Sequence, residues 1–206
     1  MIDYHNIFWD FDGVIKDSVA VKSDAFEQLF LPFGKNMVKK IRKHHEVNSG
    51  MSRFDKLPLY LEWAGEKVSQ NLVNEFSEKF SLLAKDKVIS SKWIDGVLDY
   101  LKNNHKKQRF FLITATPQQE IEEILAQLKI ADYFKQVSGS PINKNRAIQI
   151  LLKRYNIAQQ QAVMIGDSNS DYEAATSNKI NFILKKTYLN QKLQTQLHCP
   201  MITNFK

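Results

Sequence analysis

The sequence predicts an α/β fold, a doubly wound parallel sheet with an α-helical domain inserted after its first strand. Three observations predict it. Apolar runs of strand length alternate with helical patterns through most of the chain, as expected for strands buried on both faces. The alternation breaks once, between Val19 and about Ser91, where every periodic segment reads as helix. Three of the apolar runs end in Asp or Thr, and α/β sheets bind ligands at the carboxyl ends of their strands.

Taken in order, Ile7–Phe11 is the first strand and runs into Asp10 and Asp12. Asp17 and Ser18 follow, both good helix N-caps. Helices are then predicted over Ala20–Phe30, Met37–His45, Arg53–Ala64 and Ser69–Lys85. In the third of these, Leu57, Tyr60, Leu61 and Ala64 form an apolar stripe at helical spacing. A helix over Trp93–Asn104 precedes the β-branched and aromatic strand Phe110–Thr114. Helix Gln118–Leu128, helix Lys144–Tyr155, strand Ala162–Ile165, helix Ser170–Ser177 and strand Phe182–Leu184 complete the pattern. The region after Tyr188 carries no motif. The expected division is a core of residues 1–18 and 92–206 with an inserted domain of residues 19–91.

A chain of 206 residues suits one sizeable α/β domain or a core with a smaller insert. Its 43% hydrophobic and 25% charged content is that of an ordinary soluble globular protein. The lone Cys199 forms no internal disulfide and reads as structural, in a reducing compartment. The first residues lack the charged start and apolar stretch of a signal peptide, and no apolar run has the length of a membrane span. The expectation is a cytoplasmic protein, monomeric or homodimeric. Lys and Arg outnumber Asp and Glu by 29 to 22, a net +7. The basic residues are scattered and not interleaved with aromatics, so they read as solvated helix faces. No nucleic-acid partner is expected, and the charge mildly favours an anionic substrate. His44 and His45 are adjacent and point apart, which makes poor zinc ligands. Trp9, Trp63 and Trp93 read as packing residues.

Asp10, Asp12 and Asp167 at neighbouring strand ends would repel one another unless a cation neutralised them. An all-oxygen site suits a hard ion, and Mg2+ takes a few carboxylates with phosphate and water. Gly13 permits a turn that brings the Asp12 carboxylate back toward Asp10. These residues carry a resemblance. Asp10-Phe11-Asp12-Gly13-Val14 resembles the first motif of the haloacid dehalogenase superfamily, and Ile113-Thr114-Ala115 the second. Lys144, opening a helix after Gly139-Ser140-Pro141, resembles the third, and Gly166-Asp167-Ser168-Asn169-Ser170-Asp171 the fourth. A DxD pair alone is weak evidence; DxDGV followed far downstream by GDxxxD is strong.

The resemblance implies a Rossmann-like core with a helical cap and a Mg2+-dependent phosphatase acting through an aspartyl-phosphate. Asp10 is then the nucleophile and Asp12 the general acid and base. The Asp10 side chain, the Asp12 carbonyl and Asp167 hold the ion. Asp171 ligates it or steadies its waters, or is simply a first-turn acid favoured by the helix dipole. Thr114 and Lys144 hold the phosphoryl oxygens, with Gly13 and Ala115 beside the substrate. Ala115 stands where many relatives carry Asn, and its backbone N–H still donates.

Asn48-Ser49-Gly50-Met51-Ser52-Arg53 resembles the Gly-x-Ser-Arg cap loop of sugar-phosphate phosphatases and β-phosphoglucomutase-like proteins. Arg53 there clamps an anionic part of the substrate, or it sits in a helix-starting turn capped by Ser52. Lys22 reaches the phosphate or leaving group when the cap closes, or is a helix surface lysine. The substrate implied is a small phosphorylated metabolite, a sugar phosphate or phosphoglycolate-like compound. The alternative is a mutase of the β-phosphoglucomutase type, which differs in the acceptor of the phosphoryl group. Lys22 stands where the mutase has a histidine, and that favours the hydrolase. Dehalogenases and phosphonate hydrolases of similar sequence generally lack the second aspartate, which Asp12 supplies. A non-catalytic binding protein on the same fold is the reading from another class.

Overall fold

In the computed structural model, which describes residues 2–206, one parallel sheet organises the chain. Among the described residues its strands are β1 (Asn6–Trp9), β2 (Arg109–Pro117), β3 (Phe134–Ser140), β4 (Ala162–Gly166), β5 (Asn181–Lys185) and β6 (Met201–Ile202), in the spatial order β3-β2-β1-β4-β5-β6. Every pairing is parallel. β1 lies between β2 and β4, with Ile7 level with Phe110 on one side and Val163 on the other. The chain reverses its winding at β1 and β4, so their carboxyl ends frame the crevice where such sheets bind ligands.

Alternation along the central strands divides the core in two. Ile7, Trp9, Phe110, Leu112, Val163 and Ile165 pack on one face. They meet helices α5 (Val97–Asn104) and α6 (Gln118–Gln127) there. Phe8, Phe111, Ile113 and Met164 pack on the other face, against α7 (Lys144–Arg154) and α8 (Asn169–Ser177). The period of two carries successive side chains to opposite sides, so a strand covered on both must be apolar throughout.

Between β1 and β2 lie α1 (Val19–Phe30), α2 (Lys35–Val47), α3 (Arg53–Trp63) and α4 (Gln70–Ser90). They enclose a hydrophobic cluster of their own, centred on Phe26, Phe30, Tyr60, Leu61 and Phe80. Among the described residues no helix is long and apolar enough to cross a membrane.

One expectation needs correction. The helix expected over Trp93–Asn104 begins only at Val97, because Gly96 takes a left-handed φ of 76° and Trp93 forms an isolated bridge with Lys16. The stretch after Tyr188 is built into the core. A short helix, α9 (Gln191–Gln196), leads to β6, with Leu193, Leu197 and Cys199 packed on one core face. Phe205 returns to Trp9 on the other face, their ring centroids 5.2 Å apart.

Candidate active site

The backbone turn after β1 sets the first two carboxylates. The Asp10 amide donates to the Ile165 carbonyl at 3.0 Å, extending the β1–β4 pairing one residue past the strand. The amides of Ile15 and Lys16 then both return to the Phe11 carbonyl. Gly13 makes the turn possible with a φ of 76°. A Cβ there would also strike the Asp167 carboxylate. Its N–H is spent on the Lys16 carbonyl at 2.7 Å, so Gly13 shapes the site and does not offer the substrate a donor.

Asp167 follows β4, and Asp171 lies in the first turn of α8. Carboxylate oxygens of Asp10, Asp167 and Asp171 all lie within 4.8 Å of one another, and all three residues are buried. Lys144, opening α7, reaches between them, 2.9 Å from Asp10 Oδ2 and 2.6 Å from Asp171 Oδ1. Asp171 has both oxygens engaged, since Oδ2 accepts from the Ser168 amide at 3.1 Å and the Ser168 hydroxyl at 2.5 Å. Its bonds hold Lys144 and the start of α8 in place, leaving Asp10 and Asp167 as the carboxylates with oxygens to spare.

Burial first, and then the Asp171 charge, push the Asp10 carboxyl up to about 7, against the pull of Lys144. Burial and the charges of Asp10 and Asp171 raise Asp167 well above the carboxylate range. Burial disfavours the Lys144 ammonium, but Asp10 and Asp171 outweigh it and raise its pKa, so Lys144 is a fixed positive charge. Three carboxylates and one ammonium leave a buried excess of negative charge, made only of hard oxygen donors. That fits Mg2+, with Asp10 and Asp167 as its side-chain ligands.

Asp12 sits apart from this cluster and turns toward the inserted helices. Its Oδ1 accepts from the Ser18 hydroxyl at 2.6 Å, and its Oδ2 from Lys22 Nζ at 2.5 Å. Thr116 Oγ1 completes the group, 2.8 Å from Lys22 Nζ and 3.4 Å from Asp12 Oδ2. Burial alone would raise the Asp12 carboxyl; the charge and hydrogen bond of Lys22 and the bond from Ser18 hold it below the usual range. Lys22 is therefore not a surface lysine. Ser18 stands at the N-cap of α1 but makes no capping bond, because its hydroxyl is turned to Asp12 and the Lys16 carbonyl.

Three openings meet at these residues, all beneath the loop of residues 48–52. A cleft of about 320 Å3 is lined by Thr114, Ala115, Lys144 and Gly50–Ser52. A second, of about 360 Å3, reaches Asp167, Asn190 and Ser49. A small cavity of about 30 Å3 contains Asp12, Lys22 and Thr116. Gly50 packs its backbone against α8 so closely that a Cβ would strike the hydroxyls of Ser168 and Ser170.

Arg53 is placed otherwise than as a free clamp for the substrate. It is buried, with Nη2 2.5 Å from Glu120 Oε1 and Nη1 2.9 Å from Oε2, and its guanidinium lies over Phe80. Ser52 does cap α3, accepting from the Phe54 amide. The carboxylate that Arg53 grips is the chain's own, at the start of α6.

The sequence pointed to none of Thr116, Glu120 and Asn190, and to Ser18 only as a helix cap. Ser18 and Lys22 are four apart on one helix face, a spacing that could have joined them. Thr116 shares the alternation of Thr114, two residues on. Glu120 carried no signal, since its partner is 67 residues away. Asn190 donates to the Asp167 carbonyl at 2.7 Å and the Lys185 carbonyl at 2.8 Å, and its stretch held no motif.

Residues 7–185 match the family of haloacid dehalogenase-like hydrolases. The chain is 25% identical over 183 residues to a phosphorylated carbohydrates phosphatase of Thermotoga maritima, covering 86% of this chain and 82% of that protein. It is 25% identical over 175 residues to a phosphoglycolate phosphatase of Pseudomonas fluorescens, covering 82% of this chain but only 64% of that protein. The crystal structure of a β-phosphoglucomutase from Clostridium difficile superposes with a TM-score of 0.78 at 20% identity, covering 98% of this chain and 92% of that one.

Proposed function

Because the chain belongs to the haloacid dehalogenase-like hydrolase family, we propose that it is a Mg2+-dependent phosphatase that hydrolyses a small phosphorylated metabolite, a phosphorylated carbohydrate or phosphoglycolate-like compound, through an aspartyl-phosphate on Asp10. The relatives named above as phosphatases support the activity and the substrate class. The single observation that carries the mechanism is the buried cluster of Asp10, Asp167 and Asp171 around Lys144, with Asp12 set apart on its own hydrogen bonds.

When bound, Mg2+ supplies positive charge to the carboxylates and the phosphoryl oxygens. Asp10 attacks phosphorus, forming the acyl phosphate as the bond to the leaving oxygen breaks. Asp12 in its protonated form gives that oxygen its proton. In the second half Asp12 takes a proton from water, whose oxygen attacks phosphorus and releases phosphate and the Asp10 carboxylate. The Lys22 and Ser18 contacts favour ionised Asp12, the form that this second half needs. Lys144 and the Thr114 hydroxyl hold the phosphoryl oxygens, and Asp171 keeps Lys144 aimed at them. Residues 19–91 act as a cap that excludes water and completes the substrate pocket.

The test is hydrolysis of p-nitrophenyl phosphate with Mg2+ and with chelator. Asp10→Asn is expected to lower turnover by at least about 10³-fold while the circular dichroism spectrum is unchanged. Chelator is expected to abolish wild-type turnover. Full activity of either sample contradicts the mechanism.

A further inference from the structure

The small cavity beside Asp12 also holds a buried amine that the mechanism leaves unused. Lys56, on α3, is 1% exposed and also lines this cavity, with Asp12, Lys22, His45, Arg53 and Thr116. Lysine is almost never so deeply buried without a partner charge. The other charged groups lining the cavity are paired: Lys22 with Asp12, and Arg53 with Glu120. Among the described residues Lys56 has no carboxylate. Its one hydrogen-bond contact is His45 Nδ1, at 2.9 Å. His45 is itself 3% exposed, and its Nε2 makes no hydrogen bond within normal geometry, although the Val19 carbonyl lies beside the ring. Burial, and then the Lys22 charge, hold the Lys56 amine well below the usual lysine range. An anion in the cavity would restore its charged form.

The position of the cavity gives this unpaired amine a chemical meaning. Asp12 faces it, and in the phosphatase reading Asp12 protonates the leaving oxygen. Whatever the leaving oxygen is attached to therefore extends toward Lys56. At about 30 Å3 the cavity has room for about two water-sized groups. That suits a carboxylate and is too small for a sugar ring or a second phosphate.

Resting on the phosphatase reading, we propose that this cavity is the leaving-group subsite and that Lys56, backed by His45, pairs there with a carboxylate of the substrate. The enzyme then selects small phosphate monoesters of hydroxy acids over neutral esters of the same size. Lys22 and Arg53 do not serve as that receptor, because each already has its counter-charge in the chain.

The experiment reads a preference, in two arms, on the full chain with Mg2+. In the first, kcat/KM is measured for phosphoglycolate and for ethyl phosphate. The wild type is expected to favour phosphoglycolate by about 100-fold, and Lys56→Met to bring that ratio near one, chiefly through KM for phosphoglycolate. In the second, calorimetry compares binding of phosphonoacetate and ethylphosphonate, which are not turned over. The wild type is expected to prefer phosphonoacetate and Lys56→Met to lose that preference; Lys56→Gln repeats both arms should the methionine variant not fold. A wild-type preference below about threefold in both arms overturns the proposal, as does a ratio that survives in the variants. A bisphosphate bound more tightly than phosphonoacetate also overturns it. If no ester is hydrolysed while the binding preference holds, the phosphatase reading fails and the carboxylate subsite stands.

Discussion

Asp12 illustrates how a single residue's chemistry is set by partners from three parts of the chain. Ser18 and Lys22 come from the start of α1, and Thr116 from the end of β2. Lys22 holds the Asp12 carboxyl down, so the ionised form persists to lower pH than burial alone would allow. Replacing Lys22 with Met removes that pull, and the pKa of Asp12 rises. The acidic limb of the rate of aspartyl-phosphate hydrolysis, the half that needs ionised Asp12, is then expected to move to higher pH, with that step slowed more at pH 6 than at pH 8. A profile displaced the other way, or not at all, would separate Lys22 from Asp12. At this scale the sequence was legible where a residue type at a strand end implied charge: Asp10 and Asp167 do gather, although Asp171 and not Asp12 is the third carboxylate of the buried cluster. For Arg53 it was legible in part: the helix start capped by Ser52 could be read, but the guanidinium could equally be a clamp for substrate, and only the fold brings Glu120 to it.

Among the elements, the strands missed by the sequence reading are the two edges of the sheet. β3 and β6 lack the apolar runs by which the interior strands were found, because an edge strand need not be covered on both faces. The helices between β1 and β2 were readable because their apolar stripes repeat locally, while the tie between them and the core was not. Arg53 from α3 and Ser77 and Ser81 from α4 converge with Glu120 at the start of α6. Lys85 pairs with Glu123 one turn further along the same two helices, at 2.8 Å. The first pair is buried and the second is exposed, so their contributions differ. Glu120→Ala leaves a buried guanidinium unpaired and is expected to cost about 3–5 kcal/mol in urea unfolding. Glu123→Ala is expected to cost less than about 1 kcal/mol. Equal losses in the two variants would show that the buried pair does not bind α3 to α6.

For the molecule as a whole, composition excluded little, and the +7 charge did not locate the site. The buried carboxylates couple the fold to its ion. Asp10 is raised from 3.8 to about 7 in the folded state, so its neutral form stabilises the fold below pH 3.8. That contribution is lost as pH rises through about 7. Mg2+ binds the ionised form, so its stabilisation grows over the same window. The rise in Tm on adding Mg2+ is expected to be larger at pH 8 than at pH 5, and no rise at either pH would contradict the cation site. The most direct measurement is reductive trapping of the intermediate. Borohydride added during turnover converts an aspartyl-phosphate to homoserine, which peptide mass spectrometry locates. Homoserine is expected at position 10, in a substrate-dependent yield. Its absence there during active turnover, or its appearance at position 12 or 167, would contradict Asp10 as the group that accepts the phosphoryl.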